Sequence, residues 1–232
     1  MRLTYLLKSL ADLFSPACCP VCGCHLSDGE KGLCLQCHLE MPRLRFSADG
    51  KMPEVEQLFT GCQIVTHAVS CFAYSRQSRY AEILKDLKYH HAPQAALHLA
   101  RGFAEELKKR GYFDGVDEII PVPLHRSKLK KRGYNQSLLI ARVLAEVAQI
   151  PVGEGLKAVK PHATQTAKDT EERHRNVGDV FRASRMEGRH VLLVDDVITT
   201  GATLTACCDA LQAAGAASVK IVSLAFAGAL NY

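Results

Sequence analysis

The sequence predicts an α/β fold, a parallel sheet flanked by helices, preceded by a small module built on four cysteines. Three observations carry this. Residues 189–226 read as strand, glycine-containing turn, helix and strand. Such a unit makes its two strands parallel, because the crossover helix returns the chain to the same end of the sheet. Its strands are continuous apolar runs rather than alternating ones, as expected where helices cover both faces. Finally, six of the ten cysteines fall between Cys18 and Cys37, in a stretch too short to fold on a hydrophobic core of its own.

A length of 232 residues leaves room for one domain with an appendage, or at most two domains. Hydrophobic residues at 47% and charged residues at 23% are ordinary for a globular protein that buries a core. The net charge of +5, from 29 basic and 24 acidic residues, is too mild to identify a partner. Trp is absent and aromatic residues are sparse, so base stacking is not an evident theme. At the N-terminus Leu3, Leu6, Leu7, Leu10, Leu13 and Phe14 follow helical spacing, while Lys8 and Asp12 interrupt the apolar run. With no small-residue cleavage site, this reads as a short helix packing on the next module rather than a secretion signal; a membrane-surface helix is the alternative. No run approaches the roughly 18 apolar residues of a membrane span. A cytoplasmic location is expected, where clustered thiols point to a metal rather than to disulfides.

The chain divides into residues 1–45, the N-terminal helix and cysteine module; 46–68, a connector broken by Pro53 and Gly61; and 69–232, the α/β domain. In that domain the pattern predicts a strand from Val69 to Tyr74, helix over 78–110 with a break near Pro93, and a short strand from Glu118 to Val122. An apolar-periodic helix follows from Gln136 to Gln149, stopped before Pro151. The polar stretch 153–187 reads as loop with a hairpin. Strands over 189–194 and 219–226 flank a helix over 202–214 closed by Gly215.

Cys19-Pro20-Val21-Cys22 and Cys34-Leu35-Gln36-Cys37 are two C-x2-C pairs separated by eleven residues. Each pair can turn two thiolates toward one ion, with Gly23 and Gly32 easing the turns, and four thiolates suit tetrahedral Zn²⁺. Binding the ion would supply folding energy that the segment lacks. With all four positions filled by cysteine, the site is expected to be structural rather than catalytic. Cys18, Cys24, His25 and His38 are close enough in sequence to substitute for a ligand, and unliganded or redox-active thiols are the competing reading. Cys62, Cys71, Cys207 and Cys208 read as buried small hydrophobes.

The segment from Val191 to Leu204, VLLVDDVITTGATL, carries the most specific chemistry. A buried strand delivers Asp195 and Asp196 at its C-terminal end, where parallel sheets bind ligands. The turn Thr199, Thr200, Gly201, Ala202, Thr203 then opens a helix whose unpaired N–H groups and positive dipole end suit a phosphate. Carboxylates beside a phosphate would repel it unless they face another group. The vicinal hydroxyls of a ribose fit, as donors to carboxylate oxygens. No Gly-Lys-Thr/Ser follows the turn, which excludes a Walker A loop.

Four apolar residues, two acids and a T-T-G-x-T turn resemble the phosphoribosyl pyrophosphate (PRPP) motif of type I phosphoribosyltransferases. A second block, from Ile119 to Leu124 followed by Arg132-Gly133-Tyr134-Asn135-Gln136, resembles the ComF/GntX subfamily. So does a third, Thr164-Gln165 with Arg173, Asn176, Val177 and Phe181. With the cysteine module, the resemblance covers nearly the whole chain. It implies a type I phosphoribosyltransferase-like sheet. Asp195 and Asp196 would orient the ribose, and residues 199–203 would wrap the 5-phosphate. Val122, Pro123, Leu124, Arg132 and Arg173 would lie on the pyrophosphate side. Members of the subfamily are competence or DNA-utilisation proteins. GntX-like members often carry more C-x2-C pairs; here only Cys62 remains of any second set, so one zinc is expected rather than two.

The resemblance further implies PRPP or a nucleotide as ligand, with Mg²⁺ on the pyrophosphate oxygens if the domain is active. Residues 160–182 would form a hood, with Lys160, Lys168, Arg173 and Arg175 closing over pyrophosphate. Arg126, Lys128, Lys130, Lys131 and Arg132 crowd five cations into seven residues beside that site. A solvated helix face, a pyrophosphate contact and single-stranded DNA contact all stay open for them. Lys85 and Lys88 match a helix motif of the subfamily, and by residue type alone are helix-surface charges. No segment specifying a nucleobase is recognisable. Two classes therefore stand: a ligand-binding protein of DNA uptake or utilisation, with other uptake proteins as partners, and an active phosphoribosyltransferase of nucleotide salvage. The residues leave turnover, the acceptor and the oligomeric state open.

Overall fold

A computed structural model of the chain describes residues 17–90, 92–159 and 180–228. Its strands are β1 (Val65–Ala73), β2 (Glu118–Pro121), β3 (Leu156–Ala158), β4 (Phe181–Ala183), β5 (His190–Ile198) and β6 (Ser218–Phe226). Four of them make one all-parallel sheet in the order β1-β6-β5-β2, while β3 and β4 form a separate antiparallel pair. The helices are α1 (Leu35–Leu39), α2 (Pro53–Glu56), α3 (Ala81–Lys85), α4 (Gln94–Lys109), α5 (Arg126–Arg132), α6 (Gln136–Ala148) and α7 (Ala202–Ala213). None among the described residues is long and apolar enough to cross a membrane.

The helices form where the sequence supplies one apolar face. In α4 the residues Ala95, Ala96, Leu99, Ala100, Phe103, Ala104 and Leu107 are buried, three and four apart, and the opposite side carries the charges. The Asn135 side chain caps α6 by accepting from Ser137 N at 3.0 Å, and Ile140, Ala141 and Leu144 face inward. Gln149, at φ 61°, ends that helix in the left-handed region, just before Pro151. Helices α4 and α6 pack on one another and on the sheet, and α7 packs on β5 and on the β3–β4 pair.

Two strand boundaries differ from the sequence reading. β1 starts at Val65 rather than Val69. Its first residues vary between half-buried and exposed, so a continuous apolar run marks only the part covered on both faces. β5 continues past Val194 to Ile198, because its ladder with β6 runs on through Asp195 opposite Ser223 and Val197 opposite Ala225. The two acids therefore lie within the strand and not beyond it. The expected N-terminal helix and the cations Lys160, Lys168, Arg173 and Arg175 fall outside the described residues, as do Thr164, Gln165, Asn176 and Val177.

The cysteine module and the stretch after it are joined to the sheet through one apolar cluster. Cys19, Val21, Leu33, Cys34, Cys37 and Met41 are buried in the same cluster as the strands, and so are Met52, Val55, Phe59, Cys62 and Ile64 of the expected connector. On leaving the module the chain covers the outer edge of β1, with Ala73 N donating to Pro42 O at 2.7 Å and Leu44 N to Cys71 O at 3.3 Å. Tyr80 Oη donates to Cys37 O at 3.0 Å, and Arg79 pairs with Glu40. Gly32 lies directly on the start of α4: a Cβ there would be 2.6 Å from Ala95 Cα.

Gly32 also has φ +76°, where a side chain is strained. Gly32→Ala should destabilise the protein by about 2–5 kcal/mol in urea unfolding, from left-handed strain plus backbone overlap. Gly29→Ala, at φ +97° with open space around it, should cost only about 1 kcal/mol. Equal losses would mean that the module does not dock through Gly32.

Candidate functional site

The site grows from the end of β5. Asp195 accepts from Ser137 Oγ, at the first turn of α6, at 2.9 Å, and from the N–H of Asp196 at 2.8 Å. Burial, then the Asp196 charge beside it, push the Asp195 carboxyl up to about 7. Asp196 is buried, and its Oδ2 lies 2.7 Å from Lys88 Nζ. Neither acid is buried among apolar groups alone: one leans on a hydroxyl, the other on an ammonium.

The following turn is open to solvent at Thr199, Thr200 and Ala202. Gly201 is buried beneath it at φ 75° and begins α7, where the first N–H groups have no partner within the helix and Ala202 N donates to Thr200 Oγ1 at 3.5 Å. A Cβ on Gly201 would come within 3.3 Å of the Phe59 ring and 3.5 Å of Leu58 Cβ. Glycine is needed here twice, for the left-handed backbone and for the close approach of residues 58–59. Thr203 follows in the first turn of α7. The two carboxylates and the open turn thus sit together at one strand end.

β2 is the neighbour of β5, with Pro121 opposite Val194, so the Pro-Val-Pro turn leaves the sheet beside the acids. Val122 anchors that turn through both backbone groups. Its N–H donates to Val194 O at 2.8 Å and its carbonyl accepts from Asn135 Nδ2 at 3.0 Å, with the side chain buried. Pro123 has no N–H to offer, so Leu124 carries the next one along the turn. Arg132 donates to Gln136 Oε1 at 3.0 Å and lies over the Tyr89 ring at 5.6 Å. Arg173 lies outside the described residues.

Two participants were not read from the sequence. Ser137 follows directly on the Tyr134-Asn135-Gln136 block and was hidden in an apolar helix pattern. Lys88 matches a helix motif of the subfamily, but its residue type alone gives it no role beyond a helix-surface charge. It sits on a π-helical turn, Asp86–His90, that continues α3 and rotates it off the regular helical register. Such turns often occur at functional sites, and this one is held by Tyr134 Oη donating to Leu87 O.

The cysteine module forms a second centre. The Sγ atoms of Cys19, Cys22, Cys34 and Cys37 all lie within 4.8 Å of one another, and those of Cys22 and Cys34 are 3.7 Å apart. These four can hold a metal ion. Gly23 N donates to Cys19 O and Cys19 N to Cys24 O, both at 2.8 Å, shaping the first turn. Cys34 caps α1, accepting from Cys37 N at 3.4 Å. Of the alternative ligands, Cys18 meets His25 Nδ1 at 3.6 Å, His38 meets Arg43 at 3.1 Å, and Cys24 touches Cys22 at 3.2 Å. Cys62, Cys71, Cys207 and Cys208 are buried elsewhere in the core, Cys62 against the Cys208 thiol.

Comparison with known proteins gives the setting. The sequence profile of the phosphoribosyl transferase domain matches residues 135–231. The chain is 30% identical over 207 residues to the DNA utilization protein YhgH of Escherichia coli, covering 88% of this chain and 81% of that protein. It is 35% identical over 114 residues to competence protein F of Haemophilus influenzae, covering 47% and 50%. To competence protein ComFC of Bacillus subtilis it is 25% identical over 203 residues, covering 88% and 75%.

The raised Asp195 carboxyl has a consequence for stability. An unfolded Asp titrates near 4, so with about 7 in the folded protein the native state holds the extra proton between those values. Stability is then greatest below about pH 4 and is lost as pH rises through about 7. Asp195→Asn removes this dependence and keeps an acceptor for Ser137. Thermal unfolding should show the variant gaining on the wild type from about pH 5 to about pH 8, on the order of 1–4 kcal/mol. A constant difference across that range would contradict the raised value.

Proposed function

The chain belongs to the ComF/GntX family of proteins with a type I phosphoribosyltransferase-like domain, and on that premise we propose that it holds the ribose 5-phosphate part of PRPP or of a nucleotide. Asp195 and Asp196 accept hydrogen bonds from the ribose hydroxyls, and residues 199–203 wrap the 5-phosphate with the N-terminus of α7. The observation that carries this is the adjacency of two partnered carboxylates and an open Thr-Gly turn at the N-terminus of α7. Val122, Pro123, Leu124, Arg132 and Arg173 belong to the pyrophosphate side, where Val122 fixes the turn and Leu124 and the cations meet the anion. Mg²⁺, when bound, would offset charge on the pyrophosphate oxygens. What the chain itself does is orient the sugar and position its anomeric carbon.

Its relatives' names place the protein in competence and DNA utilisation, and we assign it the role of a PRPP- or nucleotide-holding protein in that process, in the cytoplasm. With no recognisable nucleobase-specifying segment, this is favoured over a salvage phosphoribosyltransferase. The intact acid pair and turn support the salvage enzyme as the alternative. On the same face, Arg126, Lys130 and Lys131 of α5 are exposed. They support a second reading, contact with the phosphates of single-stranded DNA, which would weaken steeply with salt.

In titration calorimetry with Mg²⁺, PRPP should bind the wild type at least about tenfold more tightly than Asp195→Asn or Asp196→Asn, one lost charge-assisted contact being worth about 1.5–3 kcal/mol. Release of pyrophosphate should be absent across the common nucleobases. Turnover with any base would move the assignment to the salvage enzyme, and no binding would end it.

The ion in the cysteine module is assigned as a single structural Zn²⁺ held by Cys19, Cys22, Cys34 and Cys37. Four sulfurs at about 2.3 Å from zinc lie about 3.8 Å apart in a tetrahedron, which the Cys22–Cys34 spacing of 3.7 Å fits. Elemental analysis should give one zinc per chain. Cys34→Ser should lower both metal content and melting temperature, whereas Cys62→Ser should keep the metal. Two zincs per chain, or none, would refute the assignment.

A further inference from the structure

We propose that Lys88 is the residue by which the site selects a sugar diphosphate over a sugar monophosphate. This rests on the ribose-phosphate reading above and extends it to a residue outside the PRPP motif and the Pro-Val-Pro block. Lys88 is mostly buried, its side chain 19% exposed, and its ammonium lies 2.7 Å from Asp196 Oδ2. It is therefore in contact with one of the two carboxylates assigned to the ribose.

The surroundings of Lys88 are cationic. Lys128 is partly buried near it, and its ammonium is held below the ordinary range by burial, then by Arg132 and Lys88. Arg132 stacks over Tyr89, the residue next to Lys88. Among the described residues, neither Lys128 nor Arg132 has a carboxylate within ion-pair distance, and Asp196 is the one acid paired with Lys88. Three cations thus converge, and one of them, Lys88, is paired with Asp196.

The convergence is built rather than incidental. Leu87 is fully buried and fixes the π-helical turn from below, and Tyr134 donates to its carbonyl from the loop after α5. Asn135, next in that loop, holds the Pro-Val-Pro turn through Val122 O. Two consecutive residues therefore couple the Lys88 turn to the turn assigned to pyrophosphate. A flexible surface lysine would need neither restraint.

This arrangement favours a ligand whose hydroxyls meet Asp196 while a second, strongly anionic group lies within reach of Lys88, Lys128 and Arg132. A ribose carrying a diphosphate on its anomeric carbon supplies both. Ribose 5-phosphate supplies only the first, since its single phosphate is taken by residues 199–203. Lys88 acts here as a binding and positioning residue: it shares its charge between Asp196 and the diphosphate and so fixes the angle between them.

The test is titration calorimetry on the full chain with Mg²⁺, using PRPP and ribose 5-phosphate in parallel, on wild type, Lys88→Met, Lys88→Arg and Lys109→Met. Lys88→Met should weaken PRPP at least tenfold and ribose 5-phosphate less than threefold. Lys88→Arg should stay within threefold of wild type for both ligands, and so should Lys109→Met, which removes an exposed cation at the end of α4. Equal losses for both ligands in Lys88→Met, or none, would overturn the proposal, the first because Lys88 would then merely support Asp196. Should Lys88→Met fail to fold, as judged by circular dichroism, Lys88→Gln carries the same comparison. If wild type binds neither ligand, the ribose-phosphate reading itself falls. Wild type binding both equally well overturns only the selectivity assigned here.

Discussion

Two adjacent carboxylates inside a covered strand are the constraint around which this protein is arranged. A carboxylate removed from water must find a hydrogen-bond donor or a counter-charge, or take up a proton. Asp195 does this through the Ser137 hydroxyl, the backbone of Asp196 and a raised proton affinity; Asp196 does it through Lys88. Those partners come from segments about 60 and 110 residues away in sequence, the start of α6 and the middle of the π-helical turn. Their placement dictates how α3, α5 and α6 meet at one end of the sheet.

That end is also where backbone polar groups become available. Val191, Leu192, Leu193 and Val194 of β5 are fully covered, and the chain then turns at Gly201 into α7. The sheet supplies rigidity, and the turn supplies donors on a fixed frame, so a phosphate can be met by amides that need little reorganisation on binding. Leu58 and Phe59 close the underside of Gly201. The 3₁₀ segment before β1 therefore contributes to the site without offering it a polar atom.

The cysteine module is bound into the same economy of contacts. Its four thiols cannot form a core, yet Cys19, Cys34 and Cys37 lie in the apolar cluster that includes the sheet, and the chain leaving the module covers the edge of β1. Gly32 against α4 and Tyr80 against Cys37 O fix its position. An ion bound there would stabilise the sheet's edge as well as the module.

How much of this was legible in the sequence depends on range. Periodicity and turn chemistry are local, so the helices at 136–148 and 202–213, the strands flanking the latter, the C-x2-C pairs and the Asp-Asp-x-x-Thr-Thr-Gly turn could be read directly. Burial on both faces is also written locally, as an apolar run, but a strand's partly exposed end is not, so the starts of β1 and the far end of β5 were decided by their ladders with β6. The sequence alone determined which groups could hold a phosphate, a ribose and a metal. Only the tertiary structure decided that Lys88 and Ser137 complete the carboxylate pair and that the cysteine module rests on α4. Charge compensation and close packing act between atoms near in space, and the chain order of Lys88, Ser137 and Asp196 carries no record of that distance.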